Sequence, residues 1–325
     1  MFDKNNRHIN YLRISITDHC NLRCQYCLPE NNNSFSNNTD LLTADDIEKI
    51  VRATSLIGIE KVRITGGEPL IRKDFLEILK KINSIEKIKK IAITTNGFNL
   101  SNNLNEFSTN GLNRINISLD SLKPSKYSEI TRGGDFFQVM KTIEQASLGQ
   151  FERIRINVVI MKGINDNEIL DFVNLTKELD IGVRFIELMP IGEGKQFISM
   201  KNSEILDIIK AKYTLEKDSV DKTDGPASYY KILNFKGEIG FISPLSNRFC
   251  EHCNRIRVTS SGFLKLCLHY NQGVDLIPYL KSNISTEELA KIIKSAIYNK
   301  PKEHQMNCNS QDKTIETKRM NEIGG

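Results

Sequence analysis

The sequence predicts an α/β protein: a partial, open (β/α)6 barrel of the TIM type, followed by a smaller C-terminal α+β region. Three observations predict it. Six short segments rich in Ile and Val alternate with helical patterns. The six segments carry apolar residues on one side and polar residues on the other, the sixth less regularly. Past residue 222 this rhythm gives way to hairpin patterns.

The six strands are expected at 11–17, 61–65, 90–95, 114–120, 153–159 and 183–188, each followed by Gly, Asn or Asp. "TADDIEKIVRATSLIG" after the first has a Thr cap, an acidic first turn and a closing Gly58. "RKDFLEILKKIN", "FFQVMKTIEQASLG" and "DNEILDFVNLTKELD" have apolar residues at three- and four-residue spacing. Repeated strand–helix alternation means right-handed βαβ units and a parallel sheet. After the sixth strand "EGKQFISMKNSEILDIIKAKY" adds helix, "YYKILNF" and "EIGFIS" read as a hairpin, and Thr286–Tyr298 reads as a helix. Polar residues 218–226 mark a boundary, giving regions 1–222 and 223–325. The Asn/Ser-rich stretch 31–38 is expected to be a mobile loop.

Strands buried on both faces read as continuous hydrophobic runs. These alternate: Leu12, Ile14 and Ile16 oppose Arg13, Ser15 and Thr17; Ile115 and Ile117 oppose Asn116 and Ser118. Arg63, Thr94, Arg155 and Arg184 fall on the polar sides of their strands. A closed eight-stranded barrel fills its centre with branched side chains. A polar lining on about six strands predicts a barrel left open for a ligand. Arg13, Arg63 and Arg155 on that side suit an anionic ligand, since guanidinium forks match phosphate oxygens.

The chain of 325 residues has a net charge of +5 and a pI near 8.7. No Lys/Arg block points to nucleic acid, and no run approaches the roughly 20 apolar residues of a membrane span. The first residues hold no apolar stretch of signal-peptide kind, so a cytoplasmic protein is expected.

Seven cysteines stand at 20, 24, 27, 250, 253, 267 and 308. Their odd number argues against a disulfide framework, and their bunching argues for metal. Cys308 alone fits a buried thiol. Cys20, Cys24 and Cys27 follow the first strand, where such barrels build active sites. Three thiolates suit a 4Fe–4S cluster with one iron left open. Zinc would need a fourth ligand, and His19 adjoins Cys20 too closely to supply it comfortably. Cys250, Cys253 and Cys267, the last expected on a strand, form a second triplet. Two readings stand for it: a zinc ribbon completed by His252 or His269, or a second cluster with an open iron.

Cys-x3-Cys-x2-Cys with Tyr26 before Cys27 resembles the signature of the radical S-adenosylmethionine (SAM) enzymes. The resemblance implies that SAM chelates the open iron of the first cluster and is cleaved to a 5′-deoxyadenosyl radical. Gly66-Gly67-Glu68-Pro69 resembles the turn of that family that binds the SAM amino group, placing Gly67 at SAM with Tyr26, Ser118 and Met189. The second triplet, "NRIR" at 254–257 and Gly324–Gly325 resemble the GTP 3′,8-cyclase family of molybdenum cofactor biosynthesis. That resemblance implies two 4Fe–4S clusters, with guanine on the open iron of the second. It further implies hydrogen removal from the ribose C3′ and attack of C3′ on C8. It places GTP contacts on Arg13, Arg63, Thr94, Arg155, Arg255, Ile256 and Arg257, and catalytic roles on Arg184, Gly324 and Gly325. Relatives often carry lysine where this chain has Arg155. The implied partners are GTP, an external electron donor and the next enzyme of the pathway, for a monomer or homodimer. Two other readings stand beside it: a radical SAM enzyme modifying a peptide, and a non-catalytic zinc or Fe–S protein.

Overall fold

The computed structural model describes residues 1–31, 41–218, 225–306 and 314–324. Most of the Asn-rich stretch, the expected boundary at 222, Cys308 and Gly325 lie outside the described residues.

The chain opens with β1 (Tyr11–Ser15), α1 (Ala44–Leu56), β2 (Lys61–Thr65), α2 (Phe75–Asn83), β3 (Lys90–Thr95) and α3 (Leu104–Thr109). It continues with β4 (Arg114–Ser118), α4 (Pro124–Thr131), α5 (Phe136–Ala146), β5 (Arg153–Val159), α6 (Ile169–Glu178), β6 (Gly182–Ile186) and α7 (Asn202–Lys210). Then come β7 (Leu215–Lys217), β8 (Ser228–Ile232), β9 (Glu238–Ile242), β10 (Arg255–Val258), β11 (Phe263–Lys265) and β12 (Gly273–Asp275). Helices α8 (Ile277–Lys281), α9 (Thr286–Tyr298) and α10 (Met320–Ile323) close the order. All six expected strands form. The first, fourth and sixth end two residues earlier than expected, because the chain turns away there to build the loops of the site.

One 12-stranded sheet holds everything, in the order β12-β11-β10-β1-β2-β3-β4-β5-β6-β9-β8-β7. The stretch from β10 to β9 is parallel throughout. The expected hairpin exists, as β8 and β9 pair antiparallel. Its second strand also lies parallel to β6, and β10 lies parallel to β1. The later strands therefore extend the barrel sheet at both edges. The sheet ends at β12 and β7, so the barrel stays open.

Helices form where caps and apolar stripes coincide. Thr43 and Asp46 make a capping box on α1, and Ser285 and Glu288 make one on α9. The helix-facing sides of the strands, including Leu12, Ile14, Val62, Ile64, Ile115, Ile117 and Ile156, join one buried cluster with the inner faces of α1, α2, α5 and α9. Among the described residues, no helix is long and apolar enough to cross a membrane.

Candidate active site

The register collects the polar side chains of the strands on the concave face. Arg13 stands between Arg63 on β2 and Arg257 on β10. Tyr11 is paired with Arg255, and Arg184 with Asn157 and Gly240. A Cβ on Gly240 would lie 2.9 Å from Arg184 Cγ, so the glycine makes room for that side chain. Tyr11, Asn157 and the five arginines line a cavity of about 260 Å³ together with Thr94, Ser118, Met189 and Tyr26. Cys250, Cys253 and Cys267 line it too.

Crowded, buried guanidiniums make the cavity electropositive. Burial, with Arg257 and Arg63, holds Arg13 well below the usual arginine range. Burial brings Arg184 down to about 9, with Arg155 and Arg63 adding to it. Burial and Arg255 bring Arg257 to about 10. The Nε atoms of Arg184, Arg255 and Arg257 are buried without a hydrogen-bond partner among the described residues. Buried charge is costly unless it is paired, so this set fits an anion that brings its own acceptors. Arg63 Nε is hydrogen-bonded to Tyr11 Oη, and its Nη1 lies 3.4 Å from Thr94 Oγ1.

Two expected contacts fall elsewhere. Ile256 is fully buried on the helix-facing side of β10, so its side chain cannot reach the cavity. Alternation along the strand puts it opposite its two neighbours, Arg255 and Arg257. Arg155 is absent from the lining. It stands two residues nearer the start of β5 than Asn157, over the Tyr229 ring at 5.0 Å and 3.7 Å from Glu238 Oε1.

Cys20, Cys24 and Cys27 lie on the loop after β1. Burial pushes Cys20 up to about 11 and Cys27 to about 12, and Cys24 well up with help from Cys27 and Asp120. The thiols raise one another, as groups sharing one space do. Such thiols ionise on binding metal. The loop is held at three places. Tyr26 Oη donates to Asp120 Oδ2 at 2.6 Å. Gly67 N–H donates to Thr17 O at 2.8 Å, and Glu68 N–H to His19 O at 2.7 Å. A Cβ on Gly67 would sit 2.2 Å from His19 O, so only glycine lets the two backbones meet here. Gly67 itself is not in the cavity lining.

In the second triplet burial pushes Cys250 up, but Cys253 meets the opposite field. Burial alone would raise Cys253, but Lys300, Arg255 and Arg257 outweigh it and bring the thiol down to about 6. Cys250 stands on a short 3₁₀ turn, Cys250–His252. Cys267 lies two residues past β11 rather than on a strand, because the chain bends there toward Leu268 and the cavity. Among the described residues, no three or more His, Cys, Asp and Glu converge on a point that could hold one metal ion. Cys250, Cys253 and Cys267 all line the one cavity, and a set of three thiolates suits a 4Fe–4S cluster. Both triplets therefore fit clusters with one iron left open.

Asp120, Lys300 and His304 also line the cavity. Asp120 has the polar-side parity of β4, which was its signal. Lys300 and His304 come from the irregular chain after α9, where no pattern marks them.

The family model described as "Radical SAM superfamily" matches residues 14–176, half of the chain, and the chain belongs to that superfamily. The model described as "Molybdenum Cofactor Synthesis C" matches 181–306. A "GTP 3',8-cyclase" of Clostridium perfringens (strain 13 / Type A) is 50% identical over 326 residues, covering 100% of both chains. Proteins of the same name from Clostridium botulinum (strain Okra / Type B1) and Alkaliphilus metalliredigens (strain QYMF) are 46% and 45% identical, again covering 100% of both. Within the superfamily, the chain belongs to the GTP 3′,8-cyclase family. The crystal structure of Streptococcus suis SuiB bound to S-adenosylmethionine shares the fold, with a TM-score of 0.64 at 18% identity over 91% of this chain and 68% of that one.

Proposed function

We propose that this protein is a radical SAM enzyme that converts GTP to 3′,8-cyclo-7,8-dihydroguanosine 5′-triphosphate, the first step of molybdenum cofactor biosynthesis. The observation that carries the reading is one cavity lined by buried arginines, by the second cysteine triplet and by Tyr26 of the first. It uses two 4Fe–4S clusters, one on Cys20, Cys24 and Cys27, the other on Cys250, Cys253 and Cys267. When bound, SAM and the first cluster would supply the carbon radical chemistry that removes hydrogen from C3′ and lets C3′ bond to C8. An external donor would provide two electrons, one for SAM cleavage and one, with a proton, for the purine radical left after ring closure, and the next enzyme of the pathway would take the product.

The chain's own residues bind and orient. Arg13, Arg63, Arg184, Arg255 and Arg257 offer buried donors to the triphosphate, and Thr94 joins them. Arg155 acts indirectly, through Glu238 and Tyr229. Ile256 contributes core packing. Ser118 and Met189 line the SAM end, while Gly67 and Tyr26 hold the cysteine loop on which SAM sits. Gly324 lies with a notional Cβ 2.9 Å from Ser15 Cβ and from Thr65 Oγ1 on the concave face, where a side chain would intrude.

Anaerobic reconstitution with iron and sulfide, then GTP, SAM and reductant, tests this. Formation of 5′-deoxyadenosine with consumption of GTP is expected. Its formation without loss of GTP would move the reading to a peptide-modifying radical SAM enzyme, and its absence would remove both.

A further inference from the structure

The residues ahead of β1 reach the second cysteine site. Segment 3–10 precedes both family-model matches, 14–176 and 181–306. Its centre is Arg7, which is 5% exposed. A guanidinium has five N–H donors, and here each of them is used. Nε donates to Asp3 Oδ2 at 2.7 Å. Nη1 donates to Cys250 O at 3.0 Å and to Lys302 O at 2.9 Å. Nη2 donates to Pro301 O at 2.7 Å and to Lys300 O at 3.3 Å. One buried cation thus gathers main-chain carbonyls from the Cys250 turn and from the chain after α9.

The other two cysteines are tied to the same base. Lys300 is 2% exposed, and its ammonium donates to Leu266 O, the carbonyl next to Cys267. The Lys300 carbonyl, held by Arg7, also accepts from Asn5 Nδ2 at 3.1 Å. Beside Cys253, Asn254 O accepts from Asn10 N–H at 3.2 Å, and Asn254 Nδ2 donates to Asn10 Oδ1 at 2.9 Å. Cys250 is therefore held by Arg7, Cys267 through Lys300, and Cys253 through Asn10.

Groups behind the ligands of a metal site orient those ligands, and losing one commonly weakens the site about 10–100-fold. We propose that Arg7 and Lys300 are positioning residues of the second cysteine site: the two cations form one brace that sets the span between the Cys250 turn and the Cys267 loop. The brace thereby fixes how the second cluster faces the cavity. Asp3 anchors it, since its Oδ1 also accepts the N–H of Asn5 at 3.0 Å and of Arg7 at 2.9 Å. Lysine cannot replace Arg7, because an ammonium is a point with its donors on one atom and the guanidinium is a fork. The inference rests on the cluster reading above. Its spectroscopic readout needs no GTP, so its failure is distinguishable from failure of the cyclase reading.

The test is electron paramagnetic resonance of the reconstituted full chain and the rate of iron loss to a chelator, with the first cluster identified by its response to SAM. Arg7→Lys keeps a cation beside Asp3 but cannot reach all four carbonyls. Lys300→Met keeps the length of the side chain and loses the bond to Leu266 O. Each should alter the second cluster's signal and speed its iron loss about tenfold or more. The first cluster's signal and its response to SAM should stay as in the wild type. Because both cations act through one turn, the double variant should lose little more than either single variant. A wild-type second cluster in either single variant would overturn the proposal. So would equal changes in both clusters, which is what general loosening of the fold produces. Losses that multiply in the double variant would also overturn it, since they mark two independent contacts.

Discussion

Glu68 shows how much a single buried residue can decide. Its carboxylate is 1% exposed and accepts from Thr95 Oγ1 at 2.7 Å, Asn96 N–H at 2.7 Å and Leu70 N–H at 3.0 Å. It therefore ties the end of β2 to the end of β3, below the cysteine loop. Burial pushes its pKa up to about 7, and these three donors offset only part of that. The native state then holds the proton more tightly than the unfolded chain. Stability present in acid is lost as pH rises from the ordinary value of 4.5 to about 7, and levels off above. Glu68→Gln should abolish this slope. It should also cost about 1–3 kcal/mol at acid pH, because its amide would face a backbone N–H that needs an acceptor. Chemical denaturation of both proteins from about pH 4 to about pH 8 measures the difference between them. A constant difference across that range would show that Glu68 binds its proton equally well in the folded and the unfolded chain. The sequence placed this glutamate in a Gly-Gly turn, but its three donors come from two loops, which no local pattern reveals.

At the scale of elements, alternation was the most informative signal. Period-two patterning told which side of each strand is polar, and the register carries those sides onto one concave face. It placed Arg13, Arg63 and Arg184 correctly on that face. It could not place Arg155, because parity fixes the face and leaves open the height along the strand. Height depends on the stagger between neighbours, which only pairing decides. The same alternation excludes the Ile256 side chain from the cavity, since it lies between two inward arginines. The loops depend on closer fits still. The β1 loop and the β2 turn meet backbone to backbone at Gly67, where a Cβ would lie 2.2 Å from His19 O and 2.7 Å from Asp18 O. Both neighbours are main chain, so no rotamer change relieves the overlap. Gly67→Ala should therefore displace the loop carrying Cys20 and halve the iron bound after reconstitution, leaving the cluster at Cys250 spectroscopically intact. Full iron uptake by that variant would mean that the loop adapts without the contact.

For the whole molecule, the hardest feature to read was where the later strands go. "RIRV" at β10 reads as a strand locally, but nothing nearby says that it pairs with β1. Parallel pairing has no turn to fix its partner, so the choice is made by the apolar sides closing over a common core. Ile256 and Val258 of β10 and Leu289, Ile293 and Ile297 of α9 enter the same cluster as Leu12 and Ile14. At the far edge, Ile239 and Phe241 of β9 do so beside Val183 and Phe185 of β6. The six strands of the first region consequently have both of their parallel edges covered by chain from beyond residue 225. An uncovered edge strand offers unpaired N–H and C=O groups to other chains, and here the exposed core faces would accompany them. Residues 1–218 produced alone should therefore aggregate or elute as large assemblies in size-exclusion chromatography, with cooperative thermal unfolding lost. The arginines of β10 would be missing too, so electropositive lining and edge protection arrive together in folding. A soluble, cooperatively melting 1–218 fragment would show instead that the first region folds by itself and that the later strands dock onto a finished sheet.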